Sequence, residues 1–559
     1  MKTKLCSIAF ILCSHVSIYA QSGQWTWMKG DSTIGSAGSY GIKGITVPTN
    51  EPPARFSPAF WTDTAGNFWM YGGSTSDSSY SNLDFWDMWK FDPVTVMWTW
   101  MNGDTVNIHD SLIPLSGMNS RYYDREAVIT APKGIYSAQN SPGSIGYGVP
   151  AWVTSDNHLW FYAGELFDTI DYQSNLWQFD PLINQWAWMG NFGMGKYGIK
   201  GMGDSTTMPG GRGGANCSWV DGSENLWFFG CADATNDMWK YDVTSGIWTW
   251  MSGSKNGYDT GVYTIKGIPS INNYPWSRNN NFFWKDNIGN FWLIGGLTGT
   301  GARMRDIWKF NPQTLEWRWI GGPSTTDRFN TAHPFGNTCD SSYLNDAGDR
   351  YGNSTVWKIC DDLIINYGAA TNDTGATITT TNDVWGYLPS LNEWIKLADV
   401  PYIGYYSYGL QGVSNSANYP PTRFNAAGFV DKTGGLWTFG GQNSNYFTFN
   451  DLWKFTIDTA CLPVVVCNLK TAINEVPAYT IGVSISPNPA TDFSTLTVSE
   501  PVQNLGATLF DIAGRKVMTF KITNPTTQIP ITTLPAGLYF VKVSGAAGNI
   551  GVGKLIKQR

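Results

Sequence analysis

The chain has 559 residues, with 29 Trp and 62 Gly, and only 14% of it is charged. The net charge of −7 and pI near 5.2 argue against nucleic-acid binding, which needs a basic face. An aromatic, glycine-rich, charge-poor composition fits an exported β-protein.

Residues 1–20 read as a secretory signal: Lys2 and Lys4 give a positive start, Leu5 to Cys13 an apolar run, and Ala20 a small residue at the cut. The run is too short to span a bilayer, and no later stretch approaches a transmembrane helix. No lipid-attachment pattern precedes Cys13.

From residue 21 to 455 one unit recurs six times. Its first anchor is Trp61, Trp152, Trp219, Trp284, Trp357 or Phe429. Eight positions on stand Trp69, Trp160, Trp227, Trp292, Ile365 and Trp437, and eleven on Gly72, Ala163, Gly230, Gly295, Gly368 and Gly440. Large residues flanking a short Gly/Asn/Asp turn predict a β-hairpin, strands a and b. The second anchor is Asp or Asn, then Trp, then an aromatic at alternate positions, as in Asp87/Trp89/Phe91 or Asp451/Trp453/Phe455. Residues two apart share one face of a strand, strand c. The third anchor, Trp98, Trp186, Trp248, Trp317 and Trp394, follows the strand c Trp by nine and marks strand d.

The sixth unit has Leu462 where its strand d Trp belongs, and a spare strand, Trp25-Thr26-Trp27-Met28, precedes the first unit. Joining the two closes a ring and removes unpaired edges. The predicted fold is all-β: a six-bladed β-propeller closed by an N-terminal outer strand. Burying each large aromatic between blades stabilises by roughly 1.5–3 kcal/mol. At the Gly-Gly after strand b (Gly72-Gly73) and the strand d Trp, the chain resembles the kelch family, the propeller class that includes the central domain of galactose oxidase. Kelch propellers host both enzymes and binders, so the resemblance implies a fold and not an activity.

Antiparallel blades put the a–b and c–d turns on one side, and the b–c loops and d–a crossings on the other. The second set holds nearly all the extra length, so its face is the candidate working face. Four crossings share Tyr40, Tyr197, Tyr263 or Tyr408, each fifteen residues before Arg55, Arg212, Arg278 or Arg423. One reading is a guanidinium ring that binds carboxylates. The other is that each Arg pairs with a backbone carbonyl or the strand c Asp and pins its crossing. Two crossings break the pattern. Residues 101–150 hold His109, Tyr122, Tyr123, Arg125 and Glu126, and residues 320–350 hold Asp327, Arg328 and His333. A ligand without six-fold symmetry needs such unique side chains.

Copper chemistry of the galactose oxidase kind needs His and Tyr ligands, yet only His109, His158 and His333 follow the signal, with His158 in an a–b turn on the other face. No metal or cofactor is expected. Glu126 with Arg125, or Asp327 with Arg328, would serve a metal-free sugar mutarotase or epimerase. A non-catalytic binder of a carbohydrate or a surface protein, and a purely structural or adhesive component, are the competing readings.

Cys217 on strand a and Cys231 just past strand b are expected to face each other as a disulfide, on the assumption that their hairpin centres near Glu224. Cys339, Cys360, Cys461 and Cys467 allow three pairings. Residues 456–481 read as a linker. Residues 482–559 change character, with short Thr/Val/Ile runs that predict a small β-sandwich. Ser486-Pro487-Asn488-Pro489, Leu509 to Arg515, Leu534 to Tyr539 and the terminal Lys554-Leu555-Ile556-Lys557 resemble the type IX secretion C-terminal sorting domain. That resemblance implies a partner in the secretion machinery, and a secreted or outer-membrane-surface location.

Overall fold

The computed structural model describes residues 23–558 except 77–81, 106–126, 147, 163–174, 192–194, 212–213, 215–216, 232–234, 327–337, 343–344, 346, 349, 351, 353–354, 372–378, 399–404, 459–460, 463–482, 499–504, 512–515 and 545–549. The chain divides into two units, residues 1–468 and 469–559. The expected signal, residues 1–20, lies outside the described residues.

The described part of the first unit holds six antiparallel sheets of four or five strands, and one two-stranded sheet of Ser74–Ser76 with Asn82–Asp84. Sheet one runs Ala59–Thr62, Phe68–Tyr71, Met88–Asp92 and Met97–Asn102, in that spatial order. The first strands (a) of the next four sheets are Ala151–Val153, Cys217–Val220, Phe282–Lys285 and Thr355–Cys360. Sheet six orders Ala427–Val430, Leu436–Phe439 and Leu452–Ile457, and its outer strand is Gly23–Lys29 from the other end of the chain. Trp25 lies opposite Phe455 and Trp27 opposite Trp453, as the spare strand predicted. The a strands touch in sequence order, sheet one to two and on to six, and sheet six touches sheet one again.

Each hairpin is set by its turn. Strand a pairs with strand b so that Trp61 faces Trp69, Trp152 faces Trp160 and Trp219 faces Trp227. Asp63 accepts the backbone N–H of Asn67 and the indole N–H of Trp69, each at 2.8 Å. Asp221, Asp286 and Asp431 repeat this with Trp227, Trp292 and Trp437. The carboxylate thus satisfies turn donors that would otherwise compete with the strand ladder. All six c–d pairings carry a register shift beside the strand c Trp, as a β-bulge gives.

Aromatic layers join neighbouring sheets. One core combines Trp61, Trp69 and Tyr71 of sheet one with Phe161, Trp177 and Trp186 of sheet two. Strand a indoles cross four joints: Trp61 donates to Trp160 O (3.2 Å), Trp152 to Trp227 O (2.8 Å), Trp219 to Trp284 O (2.9 Å) and Trp357 to Trp437 O (3.0 Å). At the joint between sheets six and one, Phe429 cannot donate, and instead stacks on Phe68 with centroids 4.6 Å apart.

The cysteine expectation needs correction. Cys217 is buried and free, and lies opposite Phe229. The Asp221 network and the Trp219–Trp227 pair fix the turn one residue earlier than the assumed centre, so Cys231 falls beyond the hairpin and pairs with Thr235 of strand c. Cys339 instead bonds Cys461, tying the crossing over sheet five to the segment after strand c of sheet six. Cys360 is also disulfide-bonded, and Cys467 lies outside the described residues.

In the second unit, one sheet holds Val483–Ser486, Phe493–Val498 and Thr526–Pro530, and another Lys516–Ile522, Leu505–Asp511, Gly537–Ser544 and Ile550–Lys557. Both sheets contribute to one apolar core, with Leu496 and Ile529 from the first and Ala507, Leu509, Val541 and Leu555 from the second.

Candidate functional site

The crossings end in a buried polar cluster that repeats around the ring. Arg55 is 0% exposed and meets Asp87 of strand c through two bonds, Nη1 to Oδ1 at 2.5 Å and Nη2 to Oδ2 at 2.8 Å. Its Nη1 also donates to Gly72 O at 2.9 Å, and its Nε to Pro53 O at 3.2 Å. Tyr40 Oη and Trp89 Nε1 donate to the same Asp87 Oδ2, at 2.5 and 2.7 Å. Arg278–Asp306 with Tyr263 and Trp308, and Arg423–Asp451 with Tyr408 and Trp453, repeat the arrangement. Gly72 takes a positive φ of 65°, and Gly440 one of 67°, turning each carbonyl to its arginine.

The electrostatics are those of a closed pair. Burial works against the Arg55 charge, yet the Asp87 carboxylate outweighs it and holds Arg55 above the usual arginine range. Burial, then the Asp87 charge, pushes the Tyr40 hydroxyl well up, so it remains a donor. Arg55, Arg278 and Arg423 therefore do not form an open guanidinium ring. Four of the five donors of Arg55 and of Arg423 go to carboxylate and carbonyl oxygens, and Arg278 adds a fifth bond to Tyr263 Oη, which is the geometry of the pinning reading.

Two sheets vary the cluster. In sheet five Arg350 takes the part, with Nη1 2.9 Å from Asp383 Oδ1 and Nη2 2.7 Å from Oδ2. Burial raises the Asp383 carboxyl, but Arg350 prevails and draws it down to about 2. In sheet two both charges are gone: Ile145 stands five residues after Asn140, where other crossings place Arg five after Asn50, Asn273, Asn345 and Asn418, and strand c offers Asn175. Ile145 is 2% exposed and packs with Tyr71 and Trp177. Losing one charge alone would leave its partner buried and unpaired.

The same asparagines clamp the outer strand. Asn50, Asn140, Asn273, Asn345 and Asn418 donate to the carbonyls of Trp98, Trp186, Trp317, Trp394 and Trp25, at 3.0–3.2 Å. Gly44, Gly201 and Gly267 N–H groups bond Trp100, Trp250 and Trp319 O, while Lys43, Lys200 and Lys266 lie over those indoles. The crossings so cover the exposed edge of strand d.

Along the axis the a strands leave a cavity of 330 Å³, lined from all six sheets. Residues immediately before each strand a anchor point away from it and into this space: Phe60, Ala151, Ser218, Phe283, Val356 and Gly428. This lining was missed from sequence. The residue before each anchor is legible, but nothing along the chain says that six of them meet.

Of the other residues expected in a site, Arg212, His109, Tyr122, Tyr123, Arg125, Glu126, Asp327, Arg328 and His333 lie outside the described residues. His158 sits in the a–b turn of sheet two, with Nδ1 2.6 Å from Asp156. Among the described residues no group of three or more His, Cys, Asp or Glu is placed to hold a metal ion.

Residues 484–558 match the family model described as Secretion system C-terminal sorting domain. No curated protein matches the chain. Among solved structures the chain is similar to one titled "Structure of YjhT", at 11% identity and a TM-score of 0.42, over 75% of this chain and 98% of that one. It is also similar to a copper-bound fungal alcohol oxidase of the AA5 family, at 9% identity and a TM-score of 0.39, over 94% and 100%. The tail places this chain among proteins exported by type IX secretion to the cell surface or the medium.

Proposed function

We propose that the exported chain is a non-catalytic, six-bladed kelch-type propeller that binds a carbohydrate or protein ligand on the face of its b–c loops and d–a crossings. In this reading residues 1–20 are the signal, 21–455 the propeller, 456–481 the linker, and 482–559 a sorting β-sandwich. The cyclic contact of the six a strands supports the propeller, and the two sheets around one core support the sandwich. One observation carries the binding reading: the repeated crossings spend their Arg, Asp and Tyr groups inside the protein. What is left to distinguish a ligand is the non-repeating part of the same face, crossings 101–150 and 320–350. Long loops on a rigid frame are where recognition is built.

The test is a glycan array and a surface-protein capture assay with the full mature chain. Binding that is lost in an Arg125→Ala/Glu126→Ala or Asp327→Ala/Arg328→Ala variant supports the proposal. Turnover of a reducing sugar's anomers by the wild type would replace it with the mutarotase alternative. Silence in both assays favours a structural or adhesive component.

A further inference from the structure

Sheet six differs from the other five in how its outer position is filled. Its strand c, Leu452–Ile457, runs on toward the sorting tail, while its outer strand, Gly23–Lys29, comes from the far end of the chain. Gly23 lies opposite Ile457, so the start of one strand and the exit of the other stand at the same end of the sheet. Hydrogen bonds and packing hold the pair, with no turn between its strands. Opened from that end, an antiparallel pair parts bond by bond, and local opening of this kind costs less than global unfolding.

Sheet five takes hold of the chain just past that end. Cys461 N–H donates to Asp458 O at 3.1 Å, Cys461 is buried, and it is bonded to Cys339. Cys339 is fixed outside strand d of sheet five, Glu393–Ala398, where its N–H donates to Lys396 O at 2.9 Å. Ring packing points the same way: Trp25 of the N-terminal strand stands 4.6 Å from Tyr367 and 6.3 Å from Trp357, both on sheet five.

A second bond on sheet five is left to assign. Of the six cysteines after residue 20, Cys217 is free, and Cys339 and Cys461 are joined. Cys360 is disulfide-bonded, which leaves Cys231 or Cys467 as its partner. Cys231 ends strand b of sheet three on the b–c side, whereas Cys360 ends strand a of sheet five on the a–b side, and sheet four stands between the two. Bonded cysteines have Cα atoms about 4.4–6.8 Å apart, which excludes Cys231. Cys467 follows Cys461 by six residues, and the span fits. Strand register sets Lys396 level with Val356, four residues from Cys360, and four strand spacings separate Cys339 from strand a. The two cysteines are therefore about 23 Å apart. Six extended residues reach about 20 Å, and each disulfide adds about 5–6 Å between Cα atoms.

We propose that sheet five clasps the chain after Ile457 with two disulfides, Cys339–Cys461 and Cys360–Cys467, and that this clasp holds the closing strand pair of the ring shut where the sorting tail leaves. Forming the second bond takes two electrons and two protons from its thiols. A disulfide-bearing oxidoreductase of the export compartment accepts them by thiol exchange. Displacement of the tail is then met at Cys467 and Cys461 and passed to sheet five before it reaches Ile457. The clasp is independent of what the loop face binds.

Two measurements on the full mature chain test it. Non-reducing peptide mass spectrometry is expected to find Cys360 joined to Cys467, and Cys231 as a thiol. A Cys231–Cys360 link, or Cys467 recovered as a thiol, would overturn the assignment. Hydrogen–deuterium exchange then compares the wild type with Cys339→Ser/Cys461→Ser/Cys360→Ser/Cys467→Ser. Removing the bonds lowers the stability of the whole ring, so every sheet exchanges faster. The clasp predicts that segments 23–29 and 452–457 gain at least tenfold more than the strands of sheets one to three. An equal gain in all six sheets would overturn it, because a bond that only restricts the unfolded chain favours no sheet. Should the variant fail to fold, the wild type, folded first and then reduced with a phosphine, is read in the same way.

Discussion

The sharpest test of the architecture is to give sheet one the solution that sheet two already uses. Asp87→Asn alone leaves Arg55 fully buried with its charge unmatched, while Arg55→Ile alone strands the Asp87 carboxylate at 0% exposure. Breaking one side of a buried, hydrogen-bonded ion pair costs about 3–5 kcal/mol, whereas replacing both members by neutral groups is often close to neutral. The double variant Arg55→Ile/Asp87→Asn keeps an amide oxygen for the Tyr40 and Trp89 donors, and copies the Ile145 and Asn175 found one sheet on. Each single variant is therefore expected to lose about 4 kcal/mol, and the double variant no more than about 2 kcal/mol. The assay is urea unfolding followed by tryptophan fluorescence, read as a double-mutant cycle. If the two single losses simply add, the pair is not a coupled unit and the reasoning about sheet two fails.

Further outcomes follow from the same structure. Because Asp383 is held near 2 when folded, against about 3.9 unfolded, its contribution is present above pH 4 and is lost as pH falls from 4 through 2, a change of about 2–3 kcal/mol. Acid unfolding of wild type against Asp383→Asn/Arg350→Ile should show a shallower fall in the variant over that window, and equal slopes would contradict it. Trp25→Ala removes a fully buried ring that packs on Tyr367 and Phe455, at 4.6 and 4.8 Å, and should cost about 3–5 kcal/mol with early proteolytic release of the N-terminal strand. Cys339→Ser/Cys461→Ser opens a closure 122 residues long and should lower stability by up to about 4–5 kcal/mol in thermal melts without reductant. Cys217 should resist iodoacetamide in the folded protein and react after unfolding without reduction, as peptide mass spectrometry would show; a Cys217-linked peptide would restore the disulfide first expected.

Much of the fold was legible because its signals run along the chain. Trp and aromatic residues two apart fix which face of a strand is buried, and an Asp or Asn turn between two Trp fixes a hairpin. The missing strand after Phe455 and the spare one at Trp25 gave closure by count alone. The Asn five residues before Arg55, Arg278 and Arg423 was equally readable, with Thr207 in its place before Arg212. It would have added Arg350 to the set and exposed Ile145 as the odd member. The cysteine pairing failed on a two-residue error of register. Indole hydrogen bonds to Asp221 set that register, and the spacing of the cysteines does not report it.

Sequence alone determined the repeat, the ring closure by the N-terminal strand and the export tail. Each depends on local periodicity or on a motif within one segment. Tertiary structure decided where the arginines spend their charge, which cysteine stays free, and that Phe60 and Phe283 share one channel. Those outcomes depend on which groups from distant segments meet without water between them. Burial and pairing are properties of the assembled ring, and no single repeat contains them.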